Sequence, residues 1–305
     1  MNQLRSLTFS RFLSNPSIAL LLATLMWGGH TIVARASVGE VSPMLMMALR
    51  WLLCFVILLF FYGMDFKREW PKIRKNLSWL VIMGGIFLAG FTFFFILAAQ
   101  HTSATNLGIM QSSIPGIVVL LGFVCLGKKF GSIQICGLVI SIVGVIYLVC
   151  SGSLANLISL QFNFGDVLMF LACCCYASFA VGLTKKIALS PFLLLMIFSF
   201  FALITLSVGA TIEYLKGETI FPSYFGIFSI FYSGVMASLV GQILFVRGVQ
   251  SVGSNRAGLY LNMVPVFGAA MAVIFLGEKL HSFHFISGLF VLFGIYLVEK
   301  YKTGE

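Results

Sequence analysis

Ten long apolar stretches dominate this sequence and restrict what it can fold into. Each runs for 18 to 24 residues with hardly any charge, and an α-helix needs about 20 mostly apolar residues to cross a bilayer. Only 9% of the 305 residues are charged, whereas about a quarter are charged in soluble proteins. We therefore predict an all-α integral membrane protein with ten transmembrane helices. The predicted spans are 17–36, 44–63, 77–98, 104–126, 131–150, 165–184, 191–212, 223–246, 254–276 and 283–300.

Lys and Arg residues accumulate on one side of these spans. With the N-terminus in the cytoplasm, fifteen of the nineteen basic residues fall on the cytoplasmic side and three on the other, as the positive-inside rule requires. The fifteen are Arg5, Arg11, Lys67, Arg68, Lys72, Arg74, Lys75, Lys128, Lys129, Lys185, Lys186, Arg247, Arg256, Lys300 and Lys302. We therefore predict cytoplasmic tails at 1–16 and 301–305 in a multi-pass protein of the bacterial inner membrane. Because topology explains the net charge of +10, membrane lipids and not nucleic acid are the expected partners.

Two stretches of the chain resemble each other at a distance of 150 positions. Residues 104–129 read ATNLGIMQSSIPGIVVLLGFVCLGKK, and residues 254–279 read SNRAGLYLNMVPVFGAAMAVIFLGEK, with Pro115 and Pro265 in equivalent places. The second copy lies five spans after the first, and an odd number of spans makes it enter the membrane from the opposite side. We therefore predict two inverted five-helix repeats, at 17–150 and 165–300.

Three motifs follow the same order as in a known family. They are WGGHTIVAR in the first span, ALRWLLC in the second and VPVFGAAMAVIFLGEK in the ninth. Because of the order of these motifs and the duplication of the chain, the sequence resembles the EamA-type repeat of the drug/metabolite transporter superfamily over nearly its whole length. The resemblance implies a central cavity lined mainly by spans 1, 3, 4, 6, 8 and 9. One departure is that Lys128 stands where the second repeat has Glu278.

Inverted repeats favour a transporter, because two similar halves can exchange conformations and open a central site to each side in turn. We expect a secondary transporter that exports a small metabolite, such as an amino acid or a related zwitterionic or aromatic compound. The alternatives are an exporter of cationic drugs, a nucleotide or sugar exchanger and, in a different class, a channel or an intramembrane structural protein. No nucleotide-binding, metal or nucleophile motif occurs, so we expect no enzyme, cofactor or metal. We also expect a monomer.

Aromatic and polar side chains inside the spans are the candidates for the cavity wall. Trp27, His30 and Thr31 share one face of the first span because they are three and four residues apart. The candidates are Trp27, His30, Thr31, Phe95, Asn106, Met110, Gln111, Tyr176, Phe179, Gln242 and Asn262. The polar members have two equal interpretations, as cavity lining or as hydrogen bonds that join helices. Pro115 and Pro265 are predicted either as static kinks or as hinges.

Charged groups within the spans are few. Arg50 lies about two turns inside the second span, where a link to outer-loop carbonyls or headgroups is the favoured interpretation and anion binding is the alternative. The acidic residues all lie in loops or at span ends, with Asp166 at the start of the sixth span. His30 is therefore the mid-span group that titrates near neutral pH. Transport without protons is the favoured hypothesis, and proton coupling through His30 is the other.

The topology prediction can be tested with reporters fused to the C-terminus. A reporter that is active only in the cytoplasm is expected to be active there, because the basic residues place that end inside. Activity of a periplasmic reporter at the same position would contradict the orientation.

Overall fold

The structure, a computed structural model, describes residues 15–128, 131–185 and 187–301. Within these residues, ten helices are long and apolar enough to cross a membrane, and no strand occurs. They are α1 (Pro16–Ala36), α2 (Pro43–Arg68), α3 (Leu77–Ala99), α4 (Asn106–Leu126), α5 (Ser132–Val149), α6 (Phe164–Gly182), α7 (Pro191–Leu215), α8 (Tyr224–Val252), α9 (Ser254–Leu276) and α10 (Ser282–Lys300). The predicted all-α fold with ten spans is therefore confirmed.

Two helices extend at least five residues beyond their predicted ends. The sequence predicts spans at 44–63 and 223–246, whereas α2 continues to Arg68 and α8 to Val252. Both extensions carry charged residues, so an apolar run does not reveal them although the helix continues. Most of the predicted tails, 1–16 and 301–305, lies outside the described residues, as do Arg5, Arg11, Lys129, Lys186 and Lys302.

The Leu-Gly pairs that end the repeated stretches are helix stop signals. Gly127 and Gly277 follow the last residues of α4 and α9 and have φ angles of +66° and +69°. Glycine adopts this left-handed conformation without the clash that a Cβ would cause, which is why it commonly follows a helix end. The two halves of the chain thus use the same residue to end equivalent helices.

The packing of the helices follows an inverted twofold arrangement. α5 packs against its counterpart α10, and α2 packs against its counterpart α7. α1 contacts α8 and α9, and its counterpart α6 makes the matching contacts with α3 and α4. These main contacts of one repeat therefore have equivalents in the other. α1, α3, α6 and α8 are brought together around the centre.

Four of the ten helices, α3, α4, α8 and α9, depart from regular α-helical geometry at equivalent positions of the two repeats. α3 is π-helical over Ile82–Leu88 and α8 over Ser233–Gly241. α4 is interrupted between Gln111 and Ile114, and α9 between Tyr260 and Met263. The two interruptions come just before the equivalent prolines, which remove a backbone donor and bend a helix.

Helices α5 and α10 touch backbone to backbone. A Cβ added to Gly294 would lie 2.4 Å from the carbonyl oxygen of Gly137, and a Cβ on Gly137 would lie 2.7 Å from the carbonyl oxygen of Gly294. Small residues of this kind permit close helix approach in a membrane. This contact joins the two repeats at the twofold axis.

Gly294→Ala is expected to destabilise the protein by about 1–3 kcal/mol, because the methyl group overpacks the α5–α10 contact. Gly288→Ala in the same helix is the matched control, since its Cβ would meet only Val266 Cγ1 at an ordinary 3.7 Å. Thermal unfolding of the detergent-purified variants should show a lower midpoint for Gly294→Ala alone. Equal midpoints for the two variants would contradict the packing.

Candidate functional site

Aromatic side chains from α1, α3, α6 and α8 meet at the centre of the bundle. Tyr176 is in ring contact with Trp27, Phe91, Phe179 and Phe245, at centroid distances of 6.1, 5.0, 6.0 and 5.8 Å. The central aromatic cluster, as we name it, comprises Trp27, Phe91, Phe95, Tyr176, Phe179 and Phe245. The rings lie mainly edge-to-face or tilted, the arrangements that aromatic pairs prefer.

Four members of the cluster were candidates from the sequence, and two were not. Phe91 lies four residues before Phe95, which places both on one face of α3, and their ring centroids are 6.0 Å apart. Phe245 is the repeat equivalent of Phe95 and lies 5.2 Å from Trp27. Helical spacing and the repeat were the signals that could have identified these two residues.

A hydrogen bond fixes Trp27 across the interface between the repeats. Its Nε1 donates to the backbone carbonyl of Ala237 at 3.0 Å. Ala237 belongs to the π-helical segment of α8, and π-bulges frequently accompany functional sites. The irregular backbone of α8 therefore supplies the acceptor that orients the indole.

Polar atoms of Tyr176 and Gln242 are buried beside the rings. The Gln242 side chain lies next to the Tyr176 hydroxyl, yet neither the hydroxyl nor the amide nitrogen has a well-formed hydrogen bond within the described residues. Buried polar groups are nearly always paired. These two groups are therefore the polar groups that α6 and α8 bring beside the central aromatic cluster.

Three polar residues form a chain one helical turn away from Trp27. Arg50 Nη1 lies 2.8 Å from His30 Nε2, and Ser233 Oγ lies 2.9 Å from His30 Nδ1. Because an arginine can only donate, His30 Nε2 is the acceptor and carries no proton. His30 is thus neutral, with its proton on Nδ1 directed at Ser233. We name these three residues the Arg50 triad.

The triad differs from the favoured sequence interpretation of Arg50. The guanidinium bonds the side chain of His30, not the carbonyls of an outer loop. It also stacks near the ring of Trp51, with Cζ 5.2 Å from the ring centroid. The contact joins α1, α2 and α8, and sequence spacing does not indicate that these helices meet there.

Asn106 lies in a separate buried cluster at the beginning of α4. Its Nδ2 donates to both carboxylate oxygens of Asp166 at 3.0 Å, and Thr102 Oγ1 donates to Oδ1 at 2.7 Å. The backbone nitrogen of Asn163 donates to Oδ2 at 2.9 Å. Asp166, only 2% exposed, therefore ties the start of α6 to the α3–α4 connection, and Asn106 does not reach the central aromatic cluster.

Other predicted residues lie on the surrounding helices. Asn262 Nδ2 donates to Ser141 Oγ at 2.9 Å, which joins α9 to α5. The Met110 carbonyl accepts from Cys173 Sγ at 3.3 Å. Two candidates remain. Thr31 is exposed, and its Oγ1 donates to the Gly28 carbonyl, whereas Gln111 is half-buried. Neither residue belongs to the central aromatic cluster.

The predicted hinge prolines have different surroundings. Pro115 is buried, whereas Pro265 lines a crevice of about 350 Å³ with residues of α5, α10 and the α9–α10 connection. This crevice opens at the end of the bundle that carries residues 277–281, the predicted outer end. The two prolines are thus equivalent in sequence but not in surroundings.

An ion pair joins the two repeats at the predicted outer end. Arg35 Nη1, near the end of α1, lies 2.8 Å from Glu278 Oε1, just after α9. Both side chains are largely exposed, at 67% and 41%, so the pair contributes little stability. The equivalent positions at the other end hold Lys128 and, at the end of α6, the Thr184–Lys185 pair. None of these residues carries a negative charge, so the same ion pair does not form there.

Comparison with known proteins places this architecture among transporters. The chain is 23% identical over 303 residues to the uncharacterized transporter YyaM of Bacillus subtilis (strain 168), covering 95% of this chain and 97% of the relative. It is 24% identical over 296 residues to a probable amino-acid metabolite efflux pump of Escherichia coli (strain K12), covering 92% and 93%. A solved crystal structure matches with a TM-score of 0.77 at 15% identity, covering 93% of this chain and 96% of that one. The last comparison bears on the fold alone.

The family comparison matches the chain twice. The model of the EamA-like transporter family covers residues 15–150 and again residues 163–299, so each match contains five of the ten helices. With both halves matched, the chain belongs to the EamA-like transporter family of the drug/metabolite transporter superfamily.

Proposed function

We propose that the protein is a secondary transporter that exports a small zwitterionic or aromatic metabolite by alternating access through the central aromatic cluster. The observation that carries this proposal is the position of the cluster. Its rings come from α1 and α3 of one repeat and from α6 and α8 of the other. A ligand among these rings would contact both repeats at once, as a binding site at a repeat interface requires.

The irregular helices supply the mobility that alternating access needs. α3, α4, α8 and α9 each contain a π-helical segment or an interruption. Such segments are places where a spanning helix can change its bend without losing all of its hydrogen bonds. We propose that Pro115 and Pro265 mark the hinges of α4 and α9.

The chemistry of the site favours amino acids and related compounds. Aromatic faces suit an apolar or aromatic group, and Gln242 and Tyr176 offer buried polar atoms. The relative named as a probable amino-acid metabolite efflux pump supports the same class. A cationic drug is less favoured, because the positive guanidinium of Arg50 bonds His30, one turn from Trp27, and His30 is neutral.

Rings in contact across the centre favour a carrier over a channel. An open channel conducts through a continuous pore, whereas Tyr176 is in contact with rings from α1, α3 and α8. Passage through the centre would require these side chains or helices to move. Transport should therefore saturate and show exchange.

We also propose that His30 does not carry a transported proton. Arg50 donates to its Nε2 at 2.8 Å, so protonation of this nitrogen would break the bond and place two positive charges side by side. The buried Asp166 is engaged with Thr102, Asn106 and Asn163. Exchange or facilitated flow fits this arrangement.

Counterflow in proteoliposomes tests the proposed function. Protein reconstituted with unlabelled L-phenylalanine inside should take up radiolabelled L-phenylalanine transiently and saturably, at equal pH on both sides. Tyr176→Ala should raise the half-saturating concentration at least about tenfold, because burial of an aromatic side chain contributes about 1.5–3 kcal/mol.

Phe170→Ala is the matched control for this experiment. Phe170 lies in the same helix, but its side chain is 46% exposed on the apolar outer surface of the bundle. Its counterflow should equal that of the wild type. Uptake that rises linearly with concentration, or that needs a pH gradient, would contradict the proposed mechanism.

A further inference from the structure

We propose that Arg50 binds the carboxylate of the transported compound. This inference rests on the proposed transport function and names the anionic group of its substrate. Two nitrogens of the guanidinium are left without an acceptor among the described residues, since only Nη1 is bonded and Nε is buried without a partner. Guanidinium nitrogens match the two oxygens of a carboxylate in a fork geometry.

The positive charge of Arg50 lacks a negative partner in the protein. No ion pair among the described residues includes it. The groups that face it are neutral: His30 on α1, and Trp51 and Cys54 on its own helix. A buried charge is costly unless it is paired, and an anionic ligand would supply the missing partner.

The other repeat shows that the fold does not require a polar triad here. By the alignment of the repeats, His30, Arg50 and Ser233 correspond to three apolar residues. These are Phe179, Phe198 and Met83. All three are at most 1% exposed, and the rings of Phe179 and Phe198 lie 5.6 Å apart.

The correspondence is supported by the contacts of two glycines. A Cβ on Gly84 would lie 2.7 Å from Phe198 Cα, and one on Gly234 would lie 3.1 Å from the carbonyl of Arg50. The same packing therefore holds in both repeats with different side chains. Apolar side chains fill the site of Phe179, Phe198 and Met83, whereas the equivalent site of the Arg50 triad contains a positive charge.

The distance between the Arg50 triad and the rings indicates how far apart the carboxylate and the apolar group of the ligand should be. His30 follows Trp27 by three residues, which is about 4.5 Å along the helix axis. Ser233 precedes Ala237, the acceptor of the Trp27 bond, by four residues. A compound whose carboxylate lies a few ångströms from an apolar or aromatic group fits both parts of the site. Aromatic amino acids and aryl carboxylates have this form.

A binding experiment with matched probes tests the site. Purified protein in detergent is titrated with 3-phenylpropionate and with its uncharged analogue 3-phenylpropanamide, and the intrinsic tryptophan fluorescence and the thermal midpoint are followed. The wild type should bind the acid at least tenfold more tightly than the amide. Arg50→Gln should bind both probes equally, with the amide affinity unchanged.

Two further variants separate carboxylate binding from a structural role. Arg50→Lys keeps the charge and most of the volume, and it should retain folding but lose part of the preference because the fork geometry is gone. Arg35→Gln removes an exposed arginine at the predicted outer end and should keep the full preference. A wild type without preference for the acid, or an unchanged preference in Arg50→Gln or Arg50→Lys, would overturn the proposal.

Counterflow of the same two probes distinguishes this inference from the proposed function. Saturable counterflow of acid and amide at equal efficiency would support the transporter and overturn the role of Arg50. Preferential binding of the acid that depends on Arg50, without counterflow of either probe, would support the site and contradict transport.

Discussion

The hydrocarbon core of a bilayer offers no hydrogen bonds, so a spanning chain must satisfy its backbone internally. This constraint makes the departures from regular helix informative. They occur in α3, α4, α8 and α9, at equivalent places in the two repeats. The departure in α8 has an identified use, because the carbonyl of Ala237 accepts from the indole of Trp27. The irregular backbone of α8 therefore helps to orient a side chain of the central aromatic cluster.

The inverted symmetry of the backbone contrasts with the asymmetry of the side chains. The predicted outer half of the core carries the Arg50 triad and the Arg35–Glu278 ion pair. The other half carries apolar groups at the triad positions and basic residues at its end. A symmetric scaffold permits two conformations of equal topology, while unequal side chains give the two conformations different stability and different affinity for a ligand.

The sequence predicts the scaffold well because the physical signal is local. A bilayer crossing needs an apolar run, and the runs at 77–98 and 254–276 match α3 and α9 to within a residue or two. Trp27 was identified because it shares one face of the first span with His30 and Thr31, and Tyr176 because it is the equivalent of Trp27 in the second repeat. Phe91 follows from its spacing to Phe95.

The contacts that the sequence does not predict join residues of distant helices. His30 and Arg50 meet because α8 packs against both α1 and α2, and Asn106 reaches Asp166 because α4 begins beside α6. A polar residue in a span has the same sequence signature whether it binds a ligand or another helix. Only the packing distinguishes the two cases. The side-chain nitrogen of Asn106 donates to Asp166, whereas Arg50 Nε has no acceptor among the described residues.

The central claim is that the two ends of the bundle open in turn around the central aromatic cluster. Distances between spin labels test it most directly, in protein whose native cysteines are replaced. One label pair is placed at Val38 and Lys279 at the predicted outer end, and a second at Lys128 and Lys185 at the other. The account predicts two distances for each pair, with L-phenylalanine shifting the populations of the two ends in opposite directions. A single narrow distance at both ends, or opening of both ends together, would contradict it.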